Sequence, residues 1–132
     1  MSEFLHKDLS QKIIGLFYDV YNTLGYGFLE KVYENAFLYE LKDHGFSVDS
    51  QVPIEVFYKN QKVGLYYADI VVENKIIIEL KAAEMLCEEH EYQLLNYLRA
   101  TNIELGLLFN FGKEPKFKRL IFSNPLKYHR KP

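Results

Sequence analysis

The chain has 132 residues and a formal net charge of −2, and 48% of its residues are hydrophobic. This length and apolar content suit one globular domain that buries a core without disulfides or a structural metal, and they exclude a disordered chain. The sequence has no apolar run of the ~18 residues that a membrane span needs, no signal-peptide pattern and one cysteine, Cys87, so we expect a cytoplasmic protein that does not act at a membrane.

Two helices are predicted at the start of the chain. Apolar residues recur with the helical period over residues 9–24, and Gly25-Tyr26-Gly27 interrupts the pattern. A second helical pattern covers about residues 29–44 and stops before Gly45, a residue type that commonly follows the last turn of a helix.

Five segments rich in β-branched and aromatic residues follow, and they are predicted to be strands: residues 48–58, 64–72, 75–81, 105–111 and 117–122. A turn at Asn60-Gln61 separates the first two, and a helical pattern over residues 88–100 separates the third from the fourth. The order ααβββαββ predicts an α/β fold in which a mixed β-sheet is flanked by helices. Residues 1–132 are expected to form a single domain, with 125–132 as a basic C-terminal tail outside the core.

The most informative residues are Asp69, Glu79 and Lys81. If residues 73–75 form a hairpin loop, counting outward from that loop places Asp69 opposite Glu79. Side chains alternate between faces along a strand, so Glu79 and Lys81 share a face and Asp69 joins them there. The sequence therefore predicts two carboxylates and an ammonium group at one place in the sheet.

Such a pair of carboxylates needs compensation, because the charges repel and an apolar setting disfavours their ionised forms. A divalent cation would provide it, and oxygen ligands of this kind suit Mg²⁺ or Mn²⁺. The alternative is a surface ladder of ion pairs in which Lys81 neutralises both acids. The unbroken run Ile76-Ile77-Ile78 before Glu79 favours the metal site, because it indicates a strand covered on both faces.

Three blocks of the sequence resemble a known group of nucleases. Asp69 followed by Glu79-Leu80-Lys81 is similar to the core motif of the PD-(D/E)XK superfamily, although Ala68 stands where the motif has proline. The segment Gly27-Phe-Leu-Glu-Lys-Val-Tyr33 resembles the pattern that names the GxxExxY family within that superfamily. The segment His90–Tyr97 looks like the helix that follows the acid-x-Lys strand in its exonuclease branch. The similarity covers most of residues 10–122.

The resemblance implies a restriction-endonuclease-like fold and a metal-dependent nuclease that hydrolyses phosphodiester bonds in DNA. Asp69, Glu79 and the main-chain carbonyl of Leu80 would hold Mg²⁺ or Mn²⁺. Lys81 would orient or deprotonate the attacking water, or stabilise negative charge beside the metal. The rival interpretation is a non-catalytic module that keeps the fold and binds nucleic acid or a protein.

Four further residues have a functional and a structural interpretation. Glu30 would be a third metal-binding carboxylate, or an acid that complements the dipole of its helix. Gln93 would hold a water or a phosphate oxygen in the catalytic site, or lie on the surface. Tyr33 and Tyr97 would support the site or the substrate, or belong to the core.

The C-terminal segment is basic. Residues 113–132 contain seven Lys and Arg side chains against Glu114 alone. Such a segment could contact the phosphate backbone of DNA, or it could serve only to keep the protein in solution. DNA is the expected partner, RNA is left open as a substrate, and a homodimer is left open as the oligomeric state.

Overall fold

The computed structural model describes residues 5–131, which form three α-helices and five β-strands. The helices are α1 (Lys7–Leu24), α2 (Glu30–Asp43) and α3 (Glu88–Arg99). The strands are β1 (Val48–Tyr58), β2 (Gln61–Val72), β3 (Ile76–Lys81), β4 (Leu105–Phe111) and β5 (Pro115–Ile121), and a short 3-10 helix follows at Asn124–Leu126. The predicted order of elements is confirmed, and none of the helices in residues 5–131 is long and apolar enough to span a membrane.

The helices α1 and α2 cover one face of the sheet with apolar residues at helical spacing. In α1 the buried residues include Ile13 and Phe17, and the ring of Phe17 stacks on Phe109 of β4 at a centroid distance of 4.5 Å. Residues of α2 four positions apart, Phe37 and Leu41 among them, are fully buried. The spacing of apolar residues in the sequence thus decides which side of each helix faces the sheet.

The end of α2 is fixed by Gly45. This residue has φ 85°, its amide donates to the carbonyl of Lys42 at 3.0 Å, and the amide of Phe46 donates to Leu41 at 3.1 Å. The two hydrogen bonds form a Schellman motif, in which the left-handed residue is most readily glycine. The chain therefore turns sharply into β1.

The five strands form one mixed sheet in the order β1-β2-β3-β4-β5. Neighbouring strands are antiparallel except β3 and β4, which run parallel because α3 crosses over between them. The β2–β3 hairpin has the predicted register, with Val72 paired to Ile76. The β1–β2 turn lies at Lys59-Asn60, one residue before the predicted position, and both residues have positive φ as a two-residue hairpin loop requires.

Helix α3 covers the other face and approaches β4 closely. Leu94 and Leu98 of α3 belong, with Ile77 of β3, to the buried apolar cluster on this face of the sheet. A Cβ atom built on Gly106 of β4 would lie 2.9 Å from the side chain of Leu94, so the absence of a side chain there permits the approach. As a result β3 is covered on both faces, as predicted from its isoleucine run.

The C-terminal segment folds back onto the molecule, which corrects the expected placement of Lys127 outside the core. Lys127 is buried, and its ammonium donates to the carbonyls of Thr101 at 2.9 Å and Ile103 at 2.7 Å. Burial lowers the pKa of Lys127 to about 8, an effect that the charge of Glu104 opposes. The carbonyl of His129 accepts a hydrogen bond from the amide of Phe57 at 3.1 Å.

Candidate active site

Asp69 and Glu79 lie at the point where the hydrogen-bonded ladder between β2 and β3 ends. The register runs from Val72 with Ile76 to Ile70 with Ile78, and one further step sets Asp69 against Glu79. At this point, hydrogen bonds from backbone amides to side-chain carboxylates replace the backbone–backbone hydrogen bonds of the ladder. The amide of Asp69 donates to Glu79 Oε1 at 2.9 Å, and the amide of Leu80 donates to Asp69 Oδ2 at 2.8 Å. We call these interlocked residues the acidic pair.

The environment of the acidic pair opposes two negative charges. Glu79 is only 3% exposed, and burial, followed by repulsion from Asp69, raises its pKa to about 8. Burial also raises the pKa of Asp69, with a further contribution from the charge of Glu34. The backbone amides and the charge of Lys81 act in the opposite direction on both groups. The pair is therefore suited to share a proton or to bind a cation.

The oxygen atoms of the acidic pair fit a hard divalent cation. One oxygen of each carboxylate accepts a backbone amide. The other two are Asp69 Oδ1, which lies 3.5 Å from Gln51 Nε2, and Glu79 Oε2. Carboxylate oxygens are the ligands that hard divalent cations prefer. No three His, Cys, Asp and Glu side chains in residues 5–131 are grouped as a metal cluster. Leu80, whose carbonyl was predicted as a further ligand, is held beside the pair by its own amide.

A third carboxylate approaches the pair, and it belongs to Glu34. Glu34 is 6% exposed and accepts hydrogen bonds from Gln51 Nε2 at 3.1 and 3.3 Å, and the same nitrogen lies 3.5 Å from Asp69 Oδ1. Lys31 forms an ion pair with Glu34 at 3.1 Å. Glu30, the predicted third acid, is exposed at the first residue of α2, and its carboxylate makes no hydrogen bond or ion pair with another residue of the described chain.

Lys81 lies two residues beyond Glu79, partly exposed, at the end of β3. Its charge acts on both members of the acidic pair, yet its ammonium makes no ion pair or hydrogen bond with any residue from 5 to 131. The ammonium is thus available to a bound molecule. The backbone after it is held by the buried Asn110, whose side chain accepts from the amide of Ala83 at 2.9 Å and donates to its carbonyl at 3.0 Å.

Helix α3 brings Tyr97 and Gln93 toward the acidic pair. Tyr97 is buried, and burial, together with the charge of Glu79, raises its pKa to about 12. Gln93 Nε2 donates to Tyr97 Oη at 2.9 Å. Gln93 thus bonds to a tyrosine on which the charges of Glu79 and Asp69 act.

Tyr33 lies further from the pair and secures the loop between α1 and α2. Its hydroxyl donates to the carbonyl of Gly25 at 2.6 Å and accepts from the amide of Phe28 at 3.3 Å. Its ring is fully buried and stacks on Phe111 at 4.2 Å. The residue is part of the core and fixes the loop that leads into Glu30.

Glu34, Gln51 and Asn110 were not among the predicted site residues. Glu34 lies one turn after Glu30 on α2, and each of the two acids follows an apolar residue, so the sequence does not show which of them faces the sheet. Gln51 lies across from Asp69 in the β1–β2 pairing, but a bulge at Val56/Phe57 breaks the register counted from the turn. Asn110 carries no signal either, because an asparagine in a strand has no preferred partner before the fold is known.

The mixed five-stranded sheet, with an acidic pair across β2 and β3 and a lysine at the end of the central strand β3, is that of a restriction-endonuclease-like α/β domain. Residues 7–120 match the family model of the PD-(D/E)XK nuclease superfamily, and the chain belongs to that superfamily. A search of curated proteins gave no significant match.

Among solved structures, the crystal structure of SSO0001 is similar with a TM-score of 0.56 and 19% sequence identity. The similar region covers 70% of this chain and 50% of SSO0001, so the chain spans about half the length of that structure. At this identity the likeness concerns the fold alone.

Proposed function

We propose that the protein is a metal-dependent nuclease that hydrolyses phosphodiester bonds in DNA. The observation that supports this most is the interlocked pair of Asp69 and Glu79 with the available ammonium of Lys81 beside it. A buried pair with raised pKa values is costly to stability, and such groups are concentrated at functional sites. Membership of the superfamily supports a nucleic acid as the substrate.

Asp69, Glu79 and the carbonyl of Leu80 would hold Mg²⁺ or Mn²⁺, with Glu34 as a nearby acid and Glu30 as the acid named by the family pattern. When bound, the cation supplies Lewis-acid polarisation of a phosphoryl oxygen and lowers the pKa of a bound water. The backbone amides of Asp69 and Leu80 orient the two carboxylates before any ligand arrives. This preorganisation reduces the rearrangement that binding requires.

The other residues act on the substrate. Lys81 places a positive charge where it can orient the attacking water and offset negative charge on the phosphate in the transition state. Gln93 donates one amide proton to Tyr97 and keeps its carbonyl oxygen and second proton for a water or phosphate oxygen. Tyr97, which accepts the first proton, is buried, and the charge of Glu79 acts on it.

We also propose that the protein belongs to the GxxExxY group. Gly27 has φ 111°, a backbone conformation that favours glycine, and Tyr33 bonds to the loop on both sides of it. Together they fix the start of α2, where Glu30 lies. The motif thus has a structural reason: it sets the position of the helix whose Glu34 approaches the acidic pair. We place the activity in the cytoplasm, with DNA preferred to RNA.

Metal binding and turnover can be separated by two substitutions at the site. Glu79→Gln removes a ligand charge, so calorimetry should show weaker binding of Mn²⁺ or Mg²⁺ together with lost cleavage. Lys81→Ala removes a neighbouring cation, so metal binding should persist or tighten while cleavage falls roughly 100-fold or more. Lys42→Ala, at the far end of α2, is the matched control. If the wild-type protein binds neither metal, the proposal fails.

A further inference from the structure

Two cavities lined by tyrosines lie side by side between α3 and the β1–β2 hairpin. The inner one, of about 420 Å³, is lined by residues that include Tyr66, Glu89, Tyr92, Gln93 and Tyr97. The outer one, of about 500 Å³, is lined by residues that include Tyr58, Tyr66 and Arg99. Tyr66 and Asn96 line both, so the two adjoin, and we call them together the tyrosine groove.

The tyrosine groove shares Gln93 and Tyr97 with the candidate active site. The rings of Tyr66 and Tyr97 are 5.8 Å apart, and the charge of Glu79 acts on Tyr97. A molecule that occupies the inner part would therefore contact Gln93 and Tyr97. The groove and the proposed reaction centre can act on the same substrate.

Three tyrosines of the groove expose about half of their surface or more. Tyr58 is 56% exposed, Tyr66 51% and Tyr92 57%. Exposed tyrosines along a channel offer flat π surfaces on which planar groups can stack, and nucleobases are such groups.

The charges of the outer part suit an anionic chain. Arg99 contributes a guanidinium that is oriented by Asn96 Oδ1 at 2.9 Å, and no carboxylate is among the described residues that line this part. Lys59 lies 5.4 Å from the ring of Tyr58 at the far end. Phosphates could approach these cations while bases face the tyrosines. In a duplex the base faces are already stacked on one another, so this arrangement fits an unpaired strand.

We infer that the tyrosine groove binds single-stranded DNA, with bases stacked on Tyr66 and Tyr92 and the backbone near Arg99, and leads the strand to the acidic pair. This inference rests on the proposed nuclease function, which it makes more specific by naming an unpaired strand as the substrate. The binding itself needs no cleavage and can be measured separately.

The experiment is fluorescence anisotropy with a labelled oligothymidylate in the presence of a chelator, which prevents cleavage. Tyr66→Ala and Tyr92→Ala should each weaken binding by roughly 5- to 100-fold, because one stacking platform is lost. Tyr66→Phe and Tyr92→Phe keep the ring and should bind nearly as well as the wild type. Tyr39→Ala is the matched control, since Tyr39 is 67% exposed on α2 outside the groove. Arg99→Ala should make the salt dependence shallower by about one unit.

Several results would overturn the inference. Unchanged binding in both alanine variants would remove the groove as the binding surface, and tighter binding of duplex would contradict the unpaired strand. Equal affinity for oligouridylate would remove the restriction to DNA. A concentration-dependent dimer that Tyr66→Ala abolishes, without an effect on DNA, would assign the surface to a second copy of the chain. Thermal melts of each variant show whether it is folded.

Binding and cleavage measured together show whether this inference or the nuclease proposal is wrong. If the wild type cuts DNA with Mg²⁺ and the tyrosine variants cut single strands equally well, the groove is refuted and the nuclease proposal stands. If the tyrosine variants lose binding while the wild type shows no metal-dependent cleavage, the groove stands and the nuclease proposal falls.

Discussion

At the scale of single residues, the ionisation of Glu79 is unfavourable in the metal-free protein. The side chain is buried, it lies against Asp69, and one of its oxygens is held by a backbone amide. The amide favours the charged form, but burial and repulsion exceed it and leave a pKa of about 8. This unfavourable free energy of ionisation points to a cation site, because a bound cation would stabilise the charged form of Glu79.

This raised pKa gives the metal-free protein a defined pH dependence. Between the ordinary value of 4.5 and about 8, the folded state binds more protons at Glu79 than the unfolded state does. Its stabilising contribution is therefore complete below 4.5 and is lost as the pH rises through about 8. Denaturant unfolding with a chelator should show a falling free energy of unfolding over this interval.

Glu79→Gln provides the comparison for that pH dependence. Glutamine keeps an oxygen that accepts the amide of Asp69 but does not titrate, so the slope over the same interval should flatten. Identical slopes in the two proteins would show that Glu79 does not have the raised pKa on which the site depends.

At the scale of elements, the sequence determines pairings that depend on short-range patterns. The β2–β3 register could be predicted because a short polar loop joins two runs rich in β-branched residues, and Val72 does pair with Ile76. Glu34 could not be distinguished from Glu30 in the same way. The two lie one turn apart on α2, and only the packing of that helix on the sheet shows which of them meets Gln51.

The contact between α3 and β4 offers a test of element packing. Gly106→Ala would place a Cβ 2.9 Å from Leu94, so we expect a loss of roughly 1–3 kcal/mol in the free energy of unfolding from overpacking. Gly15→Ala is the matched control, because nothing lies within 4 Å of the added Cβ and alanine favours the helix. Denaturant unfolding measures both, and equal stability of the two variants would contradict the close approach.

At the scale of the whole molecule, the C-terminal segment closes over the loop between α3 and β4. Lys127 bonds to Thr101 and Ile103, and the carbonyl of His129 bonds to β1. The sequence showed only a cluster of positive charges here. A buried ammonium is stable only if carbonyls at a distant part of the chain accept its protons, and the sequence pattern does not contain that information.

The basic residues at the end of the chain can therefore be divided into the buried Lys127, which supports the fold, and Arg130 and Lys131, which are more exposed. Lys127→Ala should lower the free energy of unfolding by roughly 1–3 kcal/mol, because two charge-assisted hydrogen bonds are lost. The double substitution Arg130→Ala with Lys131→Ala removes only one exposed hydrogen bond within residues 5–131, from Arg130 to Asn102 at 2.8 Å, so it should cost less stability than Lys127→Ala and make the salt dependence of DNA binding shallower by up to about two units. Equal stability of the Lys127 variant and the double variant would contradict this division.

The most direct test of the central claim is the cleavage of labelled DNA by purified wild-type protein in Mg²⁺ or Mn²⁺, compared with Lys81→Ala under the same conditions. We expect the wild type to cut, a chelator to stop the reaction, and Lys81→Ala to be slower by roughly 100-fold or more while it remains folded. Cleavage that persists undiminished in Lys81→Ala, or a wild type that cuts neither single- nor double-stranded DNA with either metal, would contradict the assignment of this site as a nuclease centre.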